Sequence, residues 1–233
     1  MATVLITGVG REGQVGEAVA AAFAARGDIV LLVDRIADHV EARARALRDA
    51  GHDAHGYACD LTDEAQVSDL AAHVTSHHGA TLDALVNLAG GWMPGGTVSD
   101  TALASWDRLF AINLRTALVT TRAFLPALRG ARGAIVCFAS EAALPGANVG
   151  GMAAYAAAKQ GVATLVRAVA QEERARGVRA NAVAPASIRT GDNVAAMGGD
   201  ERFVEREDVA AAVLWLCSPA ASAVTGQVIR LAP

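Results

Sequence analysis

Tyr155 and Lys159 stand four positions apart, a spacing that puts both side chains on one face of a helix. A free tyrosine titrates near ~10, too high for good proton exchange at neutral pH. A neighbouring ammonium favours the phenolate and lowers that value, so the pair is a candidate general acid/base toward a carbonyl or hydroxyl oxygen. Lys159 is the only lysine in the chain. The second candidate is Thr7-Gly8-Val9-Gly10-Arg11-Glu12-Gly13-Gln14-Val15-Gly16. Glycines there let backbone approach a pyrophosphate, and the N-terminus of a following helix offers open N–H groups and a favourable dipole. The third is Asp34, which ends a run of apolar residues and can accept the two hydroxyls of an adenosine ribose while repelling a 2′-phosphate. Arg35 beside it can instead accommodate that phosphate. The balance favours NAD(H), with NADP(H) as the alternative.

These residues need a scaffold of alternating elements. Val4–Thr7 reads as a strand, and Val15, Ala18, Val19, Ala22 and Phe23 fall on one face of a helix after it. Ile29–Val33 is a second strand, apolar throughout as expected where both faces are buried. A helix over about 37–50 leads to a weak strand over about 54–58. Another helix follows, capped by Thr62 or Asp63. Leu82–Leu88 is a fourth strand. A long helix starts near Thr101 and passes Asn113, with Pro126 marking a kink or break near its end. Gly133–Phe138, a helical stretch over 152–176, Arg179–Val183, a helix over about 207–217 and Gln227–Leu231 complete the pattern. Strands separated by helices predict a Rossmann-like, doubly wound parallel sheet of about seven strands with helices on both faces. No linker or repeat divides the chain, so residues 1–233 are expected to form one dinucleotide-binding and catalytic domain. Ligands of such sheets bind at the carboxyl ends of the strands, where the motifs collect.

In this order the motifs resemble the short-chain dehydrogenase/reductase family over essentially the whole chain. Thr7-Gly8 matches its opening turn, Asp60 before Leu61 its adenine-contacting acid, and Asn87-Leu88-Ala89-Gly90 its Asn-Asn-Ala-Gly motif. Asn113 matches its helical asparagine, Ser140 its serine, and Tyr155 and Lys159 its tyrosine and lysine. Asn181-Ala182-Val183-Ala184-Pro185, with Ile188 and Thr190 beyond, resembles the segment that meets the cofactor carboxamide. The resemblance implies hydride transfer between NAD(P)(H) and a ketone or alcohol, with 3-oxoacyl thioesters among the candidates. Tyr155 would protonate the oxygen and Ser140 would hold it. Lys159 would lower the tyrosine's pKa and bind the nicotinamide ribose, and Asn113 would hold a relay water. The implied cofactor contacts are Gly8, Gly10, Gly13, Gly16, Asp34, Arg35, Asp60, Leu61, Asn87, Ala89, Gly90, Tyr155, Lys159, Pro185, Ile188 and Thr190. Relatives are usually homotetramers or homodimers, and Ala156, Ala157, Ala158, Ala163 and Ala168 suit close helix pairing.

The chain also departs from the family pattern. Gly16 arrives two residues late and Gln14 takes the place of the middle glycine, so the phosphate loop is longer. Ser140 lies further from Tyr155 than usual, the extra residues falling in 145–151. The lid over 186–206 is short, and Gly191, Gly198 and Gly199 favour mobility. Gly90-Gly91-Trp92 and Glu141-Ala142-Ala143-Leu144 resemble the dihydropteridine reductase branch, which gives pterin reduction as an alternative, although the serine is kept here. A non-catalytic dinucleotide-binding protein is the alternative from another class.

Composition narrows the field. The 233 residues are 53% hydrophobic and 19% charged with a net charge of −4, which argues against disorder and against nucleic-acid binding. The scattered Cys59, Cys137 and Cys217 form no metal or disulfide motif. His73 and His77 share a helical face without a third ligand, and His77-His78 suit a helix C-terminus, so no metal is expected. Neither a leader nor a membrane span is read. The expected setting is cytoplasmic, and the expected partner is a small carbonyl or alcohol substrate.

Overall fold

The computed structural model describes residues 1–198 and 202–233. Seven strands form one sheet, β1 (Thr3–Thr7), β2 (Ile29–Asp34), β3 (Ala54–Ala58), β4 (Ala84–Asn87), β5 (Ala134–Phe138), β6 (Arg179–Pro185) and β7 (Val228–Leu231). Their spatial order is β3-β2-β1-β4-β5-β6-β7, and every neighbouring pair is parallel. Helices α1 (Val15–Ala25), α2 (Ala37–Asp49) and α8 (Arg206–Leu216) cover one face. The other is covered by α3 (Glu64–His78), α5 (Thr116–Ala131) and α6 (Ala153–Glu172). Side chains alternate across the strands as a period of two requires. Leu5, Leu31 and Ile135 pack toward α3, α5 and α6, whereas Val4, Ile6, Val30, Leu32 and Val136 pack toward α1, α2 and α8. Both faces are covered, which is why these strands are continuous apolar runs.

The strand order reverses between β1 and β4, so their carboxyl ends open a crevice. Thr7 bolts that junction: its Oγ1 accepts the Leu88 and Ala89 N–H groups, each at 3.1 Å. Asp63, not Thr62, caps α3 by accepting from Ala65 and Gln66. Arg129 near the end of α5 grips buried Glu173, just past α6, through two bonds of 2.8 and 2.7 Å. That clamp fixes the register of two long helices, one of which carries Tyr155 and Lys159.

Three expectations are corrected. The helix expected from Thr101 is broken into α4 (Leu103–Phe110), a π-helical turn over Ala111–Arg115 that contains Asn113, and α5. A π turn widens the helix by one residue, a feature common at functional sites. Pro126 does not end α5, which runs on to Ala131 before Arg132 adopts a left-handed cap at φ 53°. The lid, where no helix was expected, contains one, α7 (Gly191–Met197), whose first turn is capped by Thr190. Gly199 lies outside the described residues.

Candidate active site

A cleft of about 1820 Å³ runs along the carboxyl edge of the sheet, from Asp34, Arg35, Asp60 and Leu61 at one end to Ser140, Tyr155 and Lys159 at the other. Ligand pockets commonly hold about 300–1,000 Å³, so this one has room for a dinucleotide and a substrate together. At the first end β2 delivers Asp34, whose Oδ1 accepts the Ile36 N–H at 3.3 Å. Gly10 lies directly against it: a Cβ on Gly10 would come within 2.6 Å of the Asp34 carboxyl carbon. A Cβ on Gly8, which has φ +76°, would meet the Ala89 backbone at 2.8 Å, and one on Gly16 would meet the Gly8 carbonyl at 2.7 Å. The loop is therefore glycine because backbone and carboxylate already occupy the space a side chain would need. No side chain caps the first turn of α1, which leaves its N–H groups to an anion. Asp60 Oδ1 accepts the Thr62 N–H and hydroxyl at 2.9 and 2.7 Å, and these bonds hold its carboxyl below the usual range. These features fit an adenosine diphosphate moiety.

At the other end β5 delivers Ser140 and α6 delivers Tyr155 and Lys159. Ser140 Oγ accepts the Ala142 N–H at 3.3 Å in the short turn Glu141–Ala143, which leaves its O–H to donate elsewhere. Buried Lys159 donates from Nζ to the Phe138 carbonyl at 2.7 Å. Burial pulls its ammonium down to about 8, opposed by the adjacent Cys137 thiol. Burial pushes the half-buried Tyr155 hydroxyl up, and the Ser140 hydroxyl opposes that shift. Lys159 Nζ lies 5.9 Å from the Tyr155 ring centre and is directed at a backbone carbonyl.

Of the residues singled out from sequence, Gly8, Asp34, Arg35, Asp60, Leu61, Ala89, Gly90, Ser140, Tyr155, Lys159, Pro185 and Ile188 line the cleft. Six others sit behind its wall. Gly10 and Gly16 are packing contacts, and Gly13, at φ +70°, donates its N–H to Glu17 at 2.7 Å. Asn87 is turned into the core, where it donates to Thr121 Oγ1 at 2.9 Å, and its buried Oδ1 has no partner among the described residues. Thr190 is buried and caps α7 by accepting the Asn193 N–H at 3.2 Å. Asn113 clamps backbone: Oδ1 accepts the Gly91 N–H at 3.0 Å, and Nδ2 donates to the Gly91 and Leu109 carbonyls at 2.9 and 3.0 Å. A Cβ on Gly90 would fall 2.5 Å from Asn113 Oδ1 and 3.2 Å from Lys159 Nζ, so Gly90 is the spacer between these two groups.

The cleft also takes residues that sequence reading did not single out for the cofactor, among them Arg11, Gln14, Thr62, Asn193 and Arg230. Trp92, Met93 and Met152 line it as well. Arg230 on β7 pairs with Glu141, the residue after Ser140. Among the described residues no group of three or more His, Cys, Asp or Glu side chains is placed to hold a metal ion. No described helix is long and apolar enough to cross a membrane.

A family model described as "Enoyl-(Acyl carrier protein) reductase" matches residues 8–231, and the relatives that follow carry dehydrogenase and ketoreductase names. The chain belongs to the short-chain dehydrogenase/reductase family. It is 36% identical over 243 residues to 2-(S)-hydroxypropyl-CoM dehydrogenase 3 of Xanthobacter autotrophicus, covering 96% of this chain and 92% of that protein. It is 36% identical over 233 residues to cis-4-hydroxycyclohexanecarboxylate dehydrogenase of Sinomonas cyclohexanicum, covering 95% and 92%. Among solved structures it is similar to a single-substitution variant of actinorhodin polyketide ketoreductase with NADPH. That match has a TM-score of 0.89 and 26% identity, and it covers 99% of this chain and 95% of the other. The protein is an oxidoreductase of this family, which binds NAD(P) cofactors and acts on small molecules.

Proposed function

We propose that the protein interconverts a secondary alcohol and its ketone with NAD(H) as the preferred cofactor. The observation that carries this reading is one cleft lined at one end by Asp34, packed on Gly10, and at the other by Ser140, Tyr155 and Lys159. Bound nicotinamide supplies or accepts the hydride at its C4. The chain's own residues do the rest by orientation and proton transfer. Ser140 donates its O–H to the substrate oxygen, and Tyr155 gives that oxygen a proton in reduction or takes one in oxidation. Lys159, held by the Phe138 carbonyl, keeps further N–H donors for ribose hydroxyls. Asn113 holds the Gly90–Gly91 turn against them. Asp34 receives the adenosine ribose hydroxyls and disfavours a 2′-phosphate, although the structural neighbour above was solved with NADPH.

The relatives' names point to small secondary alcohols, one of them a ring bearing a carboxylate, and we take carboxylated cyclic ketones as the first substrates to try. The indole of Trp92 lines the cleft and is 56% exposed, a surface that also fits a flat pterin, so a quinonoid dihydropterin belongs on the same panel. The assembly we propose from the family resemblance is a homodimer or homotetramer built through the long helices, which sedimentation would measure.

The test is turnover of that panel with NADH and with NADPH, repeated with Tyr155→Phe. The expected result is ketone reduction with NADH favoured over NADPH, and a loss of about 1,000-fold in Tyr155→Phe with NADH affinity kept, the scale of a lost general acid. NADH binding without turnover of any panel member would instead favour a non-catalytic dinucleotide-binding role.

A further inference from the structure

One departure of the phosphate loop from its family, the glutamine in place of the middle glycine, meets the loop's Arg11 at one atom. Arg11 Nη1 donates to Asp192 Oδ2 at 2.6 Å, and Gln14 Nε2 donates to the same oxygen at 3.2 Å. Arg11 and Gln14 belong to the loop before α1, and Asp192 lies in the first turn of α7. Loop and helix both line the cleft, the loop through Arg11 and Gln14 and the helix through Asn193, Ala196 and Met197. A glycine at 14 would have no side chain to reach across. The base of α7 is itself fixed, by the Thr190 cap and by Asn193 Nδ2, which donates to the Ile188 carbonyl at 2.8 Å.

The geometry points to a clasp: Arg11 and Gln14 hold the lid helix shut through Asp192 and so set how long the cofactor stays bound. This rests on the reading of the cleft as the dinucleotide site. Asp192 acts through the lid and is a positioning residue, not a catalytic one. Electrostatics alone makes the opposite prediction for it. A carboxylate beside a diphosphate repels it, so neutralising Asp192 without a clasp would slow cofactor release, whereas opening a clasp speeds it. The sign of one measurement separates the two. The pair is exposed, with side chains 66% and 62% accessible, so the effect is modest and weakens in salt.

The experiment is stopped-flow displacement of NADH from wild type, Asp192→Asn, Arg11→Gln and the double variant, with thermal melts of the free proteins. The clasp predicts release about two- to fivefold faster in each single variant. It also predicts that the double variant releases NADH no faster than Asp192→Asn, because that change already removes the charge with which Arg11 pairs, and melting temperatures close to wild type. Amide exchange in α7 should slow on NADH binding in wild type and much less in Asp192→Asn. Slower release in Asp192→Asn, additive effects in the double variant, or unchanged rates would overturn the clasp while leaving the dinucleotide site standing. A wild type that binds neither NADH nor NADPH overturns the dinucleotide reading and the clasp together.

Discussion

The two ends of the cleft are made of different material. At the end proposed for adenosine, backbone packs on backbone and on one carboxylate: Gly8 against Ala89, Gly16 against the Gly8 carbonyl, and Gly10 against Asp34. The strands beneath it, β1 and β2, are almost wholly buried. At the substrate end the walls are side chains on connecting segments, with Trp92 and Met93 following β4, Met152 preceding α6 and Met197 closing α7. Trp92 and Met197 are 56% and 47% exposed. One end has little slack, since a methyl group on Gly8 or Gly16 collides with backbone and one on Gly10 with the Asp34 carboxylate. The other is lined by flexible thioethers and an exposed ring that can repack around different ligands. A family that keeps its cofactor and varies its substrate needs this division.

The sharpest way to break the comparison is Gly10→Ala. The added carbon would lie 2.6 Å from the Asp34 carboxyl carbon and must push the carboxylate off the ribose site. Two charge-assisted hydrogen bonds, each about 1.5–3 kcal/mol, would be lost or weakened, so NADH affinity should fall about 100-fold. Relative activity among substrates should stay the same. Titration by tryptophan quenching checks the first point and a substrate panel the second. A fall of less than about threefold would mean that the loop gives way and that the adenosine end is not rigid.

Lys159 is tested through pH. Its folded-state value of about 8 lies below the ordinary lysine value of 10.5. Between those values the unfolded chain holds the proton and the folded protein does not, so stability rises with pH across that window. Below about 8 both states are protonated and the cost of the buried ammonium is felt in full. Denaturant unfolding of wild type and Lys159→Met should therefore converge, or cross in favour of wild type, as pH is raised from about 8 to 10.5. A constant difference would mean that Lys159 is not desolvated as the structure places it.

The smallest effect is expected at the substrate end. Trp92→Ala should change the KM of a bulky ketone about three- to tenfold and leave NADH affinity within about twofold. A large loss of NADH affinity in this variant would erase the distinction between the ends.

Much of the adenosine end is legible in the sequence because its constraints are local. A strand followed by closely spaced glycines, and a carboxylate ending the next strand, each follow from a short window of chain. The sheet is legible for the same reason, since β2 and β5 are unbroken apolar runs. The rest depends on atoms brought together from afar. The family pattern gives Asn113 a water to hold; its side-chain amide, in a π turn, bonds the backbone of Gly91 and Leu109. The same pattern puts Asn87 in the site, but at the end of a central strand its side chain alternates into the core beside Thr121. Thr190, matched to a cofactor contact, caps a helix that the glycines of the lid conceal. Even the missing middle glycine signals only the absence of a contact, while its meaning lies 178 residues away at Asp192.

The most direct test of the central claim follows the hydride. With NADH deuterated at the transferable C4 position and a cyclic ketone from the panel, the account predicts one deuterium per turnover at the carbinol carbon of the alcohol product. It also predicts loss of labelled product in Tyr155→Phe while NADH still binds. NADH oxidised without label in the alcohol, or labelled alcohol formed undiminished by Tyr155→Phe, would contradict it.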